Sequence, residues 1–216
     1  VLSLTAKEPL FFTSSYQYKS FNMLRKILKW TGIIILCLIV GIAVAIPFRQ
    51  HLTYDAPYPA IKASADPAVI EKGKHLTLVT KGCVHCHSAN DNIAAMLEKG
   101  EEPSLAGGTK IDSPFGTFYL PNITPDAETG IGNMTDAEIA RVLRYGVKSN
   151  GEAVLPFMQG LDMPDDDMTA VISYLRSLEP VKNKLPETDL SIIGKFAKAF
   201  VIKPALPVNT ASVAKD

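Results

Sequence analysis

Five residues, Cys83-Val84-His85-Cys86-His87, carry the most specific chemistry in this chain. Two thiols three positions apart can reach the two vinyl groups along one edge of a porphyrin, and the next residue brings an imidazole to the iron from one face. A C-x-x-C-H of this kind reads as a covalent haem attachment site, with Cys83 and Cys86 as thioether residues and His87 as an axial ligand. The same letters could serve a dithiol redox pair or half of a zinc site. A four-ligand zinc site wants a second Cys/His pair, and none follows. His87 is the last of the four histidines, and the only other cysteine is Cys37. One motif and no internal repeat imply one haem c.

The far side of the iron needs a nitrogen or a soft sulfur. His51, His75 and His85 all precede His87, and His85 sits inside the attachment loop, where it cannot swing to the other face. Among the methionines that follow, Met168 lies on the apolar stripe of a helix and Met134 just before a helix start, where packing is the expected role. Met158 lies in Val154-Leu155-Pro156-Phe157-Met158-Gln159-Gly160, an apolar loop that could lay a thioether over the porphyrin without costing helix hydrogen bonds. Met158 is the preferred second ligand. Met163, in the same loop, is its rival.

Three helices are needed to hold such a group. Asp66-Pro67 is an N-cap followed by proline at the first helical position, and that helix should run to about Thr80 and stop at Gly82. Thr135-Asp136-Ala137-Glu138 is a capping box, with Ile139, Val142 and Leu143 following at helical spacing. The third runs from about Pro164 to Leu178, with Asp165, Asp166 and Asp167 in its first turn and Met168, Val171, Ile172 and Leu175 as its stripe. Between Leu105 and Gly132 the chain is rich in Gly and Pro, with no clear period beyond Gly116–Leu120. The expected body is a small all-α domain with long loops, residues 66–184. A C-terminal helix and tail follow over 185–216. In that helix Leu190, Ile193, Ala197, Phe200 and Val201 share one face, which either packs on the domain or lies on a membrane surface.

Charge is arranged asymmetrically behind a formal net of zero. Residues 1–50 hold six Lys/Arg against Glu8, whereas residues 60–184 hold 12 Lys/Arg against 17 Asp/Glu. An acidic body argues against nucleic-acid binding. Trp30 to Phe48 contains no charge and is long enough to cross a bilayer. With Arg25, Lys26 and Lys29 on its N-terminal side, the positive-inside rule leaves the body on the outer, periplasmic face of a bacterial inner membrane. Ala43-Val44-Ala45 also resembles a signal-peptide cleavage site. The apolar run continues past it through Phe48, which favours a retained transmembrane anchor over residues 23–50. Residues 1–22 are expected to be a disordered leader or a mis-called start, with Met23 as initiator. Residues 51–65, with Pro57 and Pro59, read as an extended linker.

Beyond the pentapeptide, the chain carries Pro-Ser-Leu-Ala-Gly-Gly (103–108) and Ser113-Pro114-Phe115-Gly116-Thr117. Asn122-Ile123-Thr124-Pro125-Asp126, Thr129-Gly130-Ile131-Gly132 and Leu155-Pro156-Phe157-Met158 follow in that order. Over roughly residues 66–180 this resembles membrane-anchored class I c-type cytochromes, and in particular the haem domains of cytochrome subunits of bacterial alcohol and gluconate dehydrogenases. The resemblance implies an all-α cytochrome c-like fold and covalent haem c on Cys83 and Cys86. It implies iron ligation by His87 and Met158. A proline carbonyl that accepts the ligand histidine's other N–H would fall on Pro103, and Asn122–Asp126 would lie near the haem edge or, equally, serve only as a loop turn. Met134 stands where relatives often carry Trp, and Pro164 where Ser or Thr usually caps the last helix. The implied activity is electron relay, with a dehydrogenase or quinol-linked complex as donor and a terminal oxidase or other carrier as acceptor. A haem-based sensor and the haem subunit of a dehydrogenase complex are the alternative roles.

Overall fold

The computed structural model describes residues 12–158 and 162–204. The chain divides into two compact units, residues 1–47 and 48–216. The first is the helix α1, Phe12–Arg49, which runs two residues past the division. Its stretch Phe21–Arg49 is apolar and long enough to cross a membrane; the most apolar 18-residue window within it has a mean hydropathy of 2.7, and none of that window is buried. Twenty-nine residues at helical rise extend about 43 Å, against a hydrocarbon core of about 30 Å. The backbone has no break at Met23. The helix already covers residues 12–22, the later part of the expected leader. Residues 1–11, like the expected tail from 205 onward, lie outside the described residues.

The second unit is mostly helical, built on α2 (Pro67–His75), α3 (Cys83–His87), α4 (Ile93–Glu98), α5 (Asp136–Tyr145), α6 (Asp165–Ser177) and α7 (Ile192–Phe200). The helix starts follow the signals in the chain. Asp66 accepts from the Ala68 N–H at 2.9 Å ahead of Pro67. Thr135 and Glu138 exchange both capping-box bonds, and α5 stops at Gly146 with φ +64°. Pro164 stands at the N-cap of α6 without a side-chain cap, and the three aspartates of the first turn face the positive end of the helix dipole instead.

The core forms where α2 meets α6. Leu76, Leu78, Val84, Leu105, Ile139, Leu143, Met168, Ile172 and Leu175 are among its buried members. A Cβ on Gly73 would lie 1.9 Å from the carbonyl oxygen of Ala170, so only glycine permits this helix crossing. On one flank Tyr174 donates to Glu102 at 3.0 Å, and Lys74 pairs with the same carboxylate. The Lys74 ammonium and then the Tyr174 hydroxyl hold Glu102 below the usual carboxylate range, although burial opposes them. Burial first, then the Glu102 charge, pushes the Tyr174 phenol well above its ordinary value, so it remains a donor.

Three features depart from the expected pattern. After His75 the backbone widens into a π-helical segment, Leu76–Thr80, before Gly82. The Gly/Pro-rich region holds a small antiparallel sheet, so the body is not purely helical. Strands β1 (Lys110–Ser113) and β2 (Gly116–Tyr119) form a hairpin, and β3 (Asp189–Leu190) adds to β2. That last pairing requires Gly116, whose φ is +137° and where a Cβ would sit 2.2 Å from the Asp189 oxygen.

Residues 51–65 are also no free linker. They form a strap with Ala56 and Ile61 buried. Tyr54 N–H donates to Gly151 O at 2.8 Å, Ala63 N–H to Asp136 Oδ2 at 2.8 Å, and Ser64 N–H to Ser173 Oγ at 2.8 Å. The buried guanidinium of Arg141 donates to Tyr54 O, the Tyr58 hydroxyl and Lys148 O, and lies 4.5 Å over the Tyr58 ring.

Two outcomes follow from the crossing and its flank. Gly73→Ala forces α2 off α6 and should cost about 1–3 kcal/mol or more in a denaturant titration followed by circular dichroism. Glu102→Gln should cost only about 0.2–1 kcal/mol at neutral pH, because both ionic partners are partly in water. A depressed carboxyl contributes stability above its ordinary pKa and loses it as pH falls through the lower, folded value. The Gln variant should therefore lose less stability than the native chain between about pH 4.5 and pH 2.

Candidate functional site

The attachment motif occupies a single short helix entered through Gly82. That residue sits at φ +64°, a conformation strained for any side chain. One helical turn puts Cys83 and Cys86 on the same face, both half-buried and both free thiols. Val84 between them is fully buried, and His87 is 3% exposed. Burial pushes the Cys83 thiol above its ordinary pKa.

His87 is held by one bond of diagnostic direction. Its Nδ1 lies 2.8 Å from the carbonyl oxygen of Pro121. A carbonyl only accepts, so Nδ1 carries the proton and the neutral ring keeps its lone pair on Nε2. Burial lowers the His87 pKa, with the Pro121 bond opposing it, so the imidazole stays neutral and free to bind a metal through Nε2. The expected partner was the carbonyl of Pro103; the one that meets His87 belongs to Pro121 instead. Pro103 is buried at the head of the Leu105 segment.

Gly107 brings Pro121 there. Its N–H donates to His87 O at 2.9 Å, and its φ is +72°. A Cβ at this position would lie 2.5 Å from the Pro121 carbonyl carbon and 2.6 Å from both Asn122 N and Leu120 O. Gly108 N–H donates to Leu120 O at 3.0 Å, and the Thr109 hydroxyl to Ser88 O at 2.6 Å. The segment from Asn122 to Thr129 is then fixed from behind. Asn122 Nδ2 donates to Val181 O and Thr129 Oγ1, while its Oδ1 accepts from Thr124 N–H and hydroxyl. Asp126 accepts from Thr129 N–H and hydroxyl at 2.7 Å each, which holds its carboxyl below the usual range. These polar side chains are spent on loop geometry.

Met158 ends a 3₁₀ turn, Pro156–Met158, and its half-buried side chain packs on the main core. Val154 N–H donates to Gly146 O at 2.8 Å before that turn, and after it Arg144 donates to Met163 O at 3.2 Å and to Asp165 at 2.5 Å. Val154 before the turn and Met163 further on are thus both bonded to the C-terminal end of α5. Met163 is 3% exposed and Met168 fully buried within the core, and Met134 packs against it.

The donor set fits a haem c: two free thiols on one helical face, a neutral buried imidazole with Nε2 free, and Val84 of the same helix in an apolar core with Leu105, against which Ile123 and Met134 pack. Among the described residues no group of three or more His, Cys, Asp and Glu gathers to hold a bare metal ion.

Known proteins point the same way. Over 129 residues the chain is 35% identical to the cytochrome c subunit of the quinone alcohol dehydrogenase of Gluconobacter oxydans, covering 57% of this chain and 25% of that one. It is 32% identical over 130 residues to the gluconate 2-dehydrogenase cytochrome c subunit of Pantoea cypripedii, covering 58% and 27%. Against a nicotinate dehydrogenase subunit of Pseudomonas putida it is 32% identical over 152 residues, covering 69% and 12%. The chain therefore spans about a quarter or less of the length of these relatives. Residues 70–179, from within α2 to just past α6, match the family model described as cytochrome c, and the chain belongs to that family.

Proposed function

We propose that this chain is a membrane-tethered electron carrier with one haem c. Cys83 and Cys86 would hold the haem through thioethers, with His87 Nε2 and the Met158 sulfur as the two iron ligands. The observation that carries this reading is the His87 Nδ1–H···O=C Pro121 bond, which leaves a buried neutral imidazole with one outward lone pair. Family membership implies covalently bound haem c. When bound, the group supplies a one-electron redox centre.

The chain's own residues do the rest. Pro121 O fixes the imidazole's rotation and raises its basicity. Val84 and Leu105 exclude water from its side. Met158 would supply the iron's other ligand, leaving no place there for a substrate, so that transfer would be outer-sphere. A thioether opposite histidine also raises the potential relative to other axial choices.

α1 ties the domain to the outer face of a bacterial inner membrane, which confines it near its partners. Its donor is a dehydrogenase or a quinol-linked complex, and its acceptor an oxidase or another carrier. The relatives named as dehydrogenase subunits support the former donor. The acidic body would steer it towards a basic docking face.

Two variants test the ligand set. In protein matured with haem, Met158→Ala should abolish the weak red-edge charge-transfer band that marks sulfur on ferric iron, and should let carbon monoxide bind the reduced form. Met163→Ala should keep the band. The reverse pattern would move the ligand to Met163, and carbon monoxide binding by the unaltered protein would favour a sensor. Gly107→Ala should keep the covalent haem but drive Pro121 away from His87. Its stability should fall by about 1–3 kcal/mol, and its reduction potential should rise as the imidazole loses basicity.

A further inference from the structure

The helix α7 presents an apolar face that no other described residue of the domain covers. Ile192 is 82% exposed, Val201 66%, Ile193 56% and Phe196 42%, and Phe115 at the β1–β2 turn adjoins them at 46%. Among the described residues of the second unit, these five make up half of the large exposed apolar side chains. The helix is not loosely attached. Ser191 caps it and also donates to Pro114 O at 2.7 Å, and Gly194 lies so close to Phe115 O that a Cβ would be 1.9 Å away. Gly194 and Ala199 form its buried side, leaving the larger apolar residues outside.

Where this helix is fastened suggests what covers it. Arg49 Nε donates to Ala199 O at 3.1 Å, and its guanidinium stands 5.1 Å over the Phe200 ring. Arg49 is also the last residue of α1, the helix long enough to cross a membrane. A basic residue ending an apolar span belongs at the headgroup level. Chain continuity therefore brings the C-terminal end of α7 to the bilayer boundary. From Ser191 to Pro204 the chain holds Lys195, Lys198 and Lys203 and no acidic residue, in a domain that is otherwise acidic. Lys198 is engaged with Glu152, and Lys195 is exposed.

We propose that α7 lies in the membrane interface, with Ile192, Ile193, Phe196 and Val201 among the acyl-chain ends and Lys195 towards anionic headgroups. This rests on the reading of α1 as a membrane anchor. A second contact beside the tether would stop the haem domain from swinging on one attachment and fix which of its faces partners meet.

Nitroxide accessibility in vesicles tests it. The full-length haem protein is reconstituted into phosphatidylethanolamine–phosphatidylglycerol vesicles. Native Cys37 is labelled in one sample, and Ile192→Cys, Ile193→Cys or Lys99→Cys in a Cys37→Ala background in the others. Collision rates with oxygen and with a water-soluble nickel chelate are then compared. The oxygen-to-nickel ratio at Ile192→Cys and Ile193→Cys should be several-fold above that at Lys99→Cys, and the Cys37 ratio higher still. Water-like ratios at both α7 positions with a lipid-like ratio at Cys37 would overturn the proposal and leave the anchor standing. A water-like ratio at Cys37 would overturn the anchor reading and the proposal with it. Labels on α7 shielded from both reagents only at high protein-to-lipid ratio would overturn it too, marking a second copy of the chain as the occupant. Ile192 is almost wholly exposed, so its replacement removes no packing, and haem absorbance per chain verifies the fold.

Discussion

A buried imidazole can serve as a metal ligand only if its proton is parked and its ring cannot turn. Here a single carbonyl does both. Pro121 O takes the Nδ1 proton of His87, and the requirement that it sit 2.8 Å away propagates outward. It demands a glycine at 107, because any side chain there would occupy the space of the 120–122 backbone. It also demands that this backbone be held from behind, which Asn122, Thr124, Asp126 and Thr129 do with their side-chain bonds. Val181 O closes that net just past the end of α6, so the orientation of the His87 ring is tied to the helix pair that forms the core.

Local signals in the chain were legible because their physics is local. The Asp66-Pro67 start, the Thr135/Glu138 box and the aspartate-loaded start of α6 each depend on residues within a turn of one another, and each lies where it was read. The attachment motif is of the same kind. What escaped depends on pairs far apart in sequence. β3 is two residues long and exists only because Gly116 lets it approach. The strap over 51–65 looks like a linker by composition, yet Arg141, Asp136 and Ser173 bind it from 70 or more positions away. The carbonyl facing His87 fell on the wrong proline for the same reason. Resemblance points to Pro103, whereas the choice between two prolines is made by the fold of the Gly107–Gly108 crossing. A double glycine followed by a Leu-Pro-Asn was the one available hint.

Polar residues near the site illustrate how resemblance and geometry separate. Asn122 to Asp126 carry two equal readings in the sequence, a place near the haem edge and a plain loop-turn role. Their side-chain bonds serve the second, holding the loop, with Asn122 and Thr124 nearly inaccessible. Such a net costs little to leave undisturbed and much to break, since each partner would be stranded without water. Its contribution to function is therefore stiffness behind Pro121.

Stiffness also distinguishes the proposed role from catalysis. An outer-sphere carrier works best when neither oxidation state rearranges its ligands, so both axial donors should hang from backbone that cannot relax. On one side, His87 is fixed through its ring nitrogen and through Gly107 at its carbonyl. On the other, the short turn bearing Met158 is fastened by Val154 N–H to Gly146 O before it and by Arg144 to Met163 O after it. Both clamps belong to the last turn of α5 and its glycine cap. Ile139 and Leu143 of that helix lie in the same core as Val84 of the attachment helix. A ligand pair mounted on one packed body has little freedom to move apart, whereas a sensor needs at least one ligand on a segment able to leave. The bonds that flank the Met158 turn at Val154 and Met163 thus suit the proposed permanent sixth ligand, and with it the proposed electron carrier.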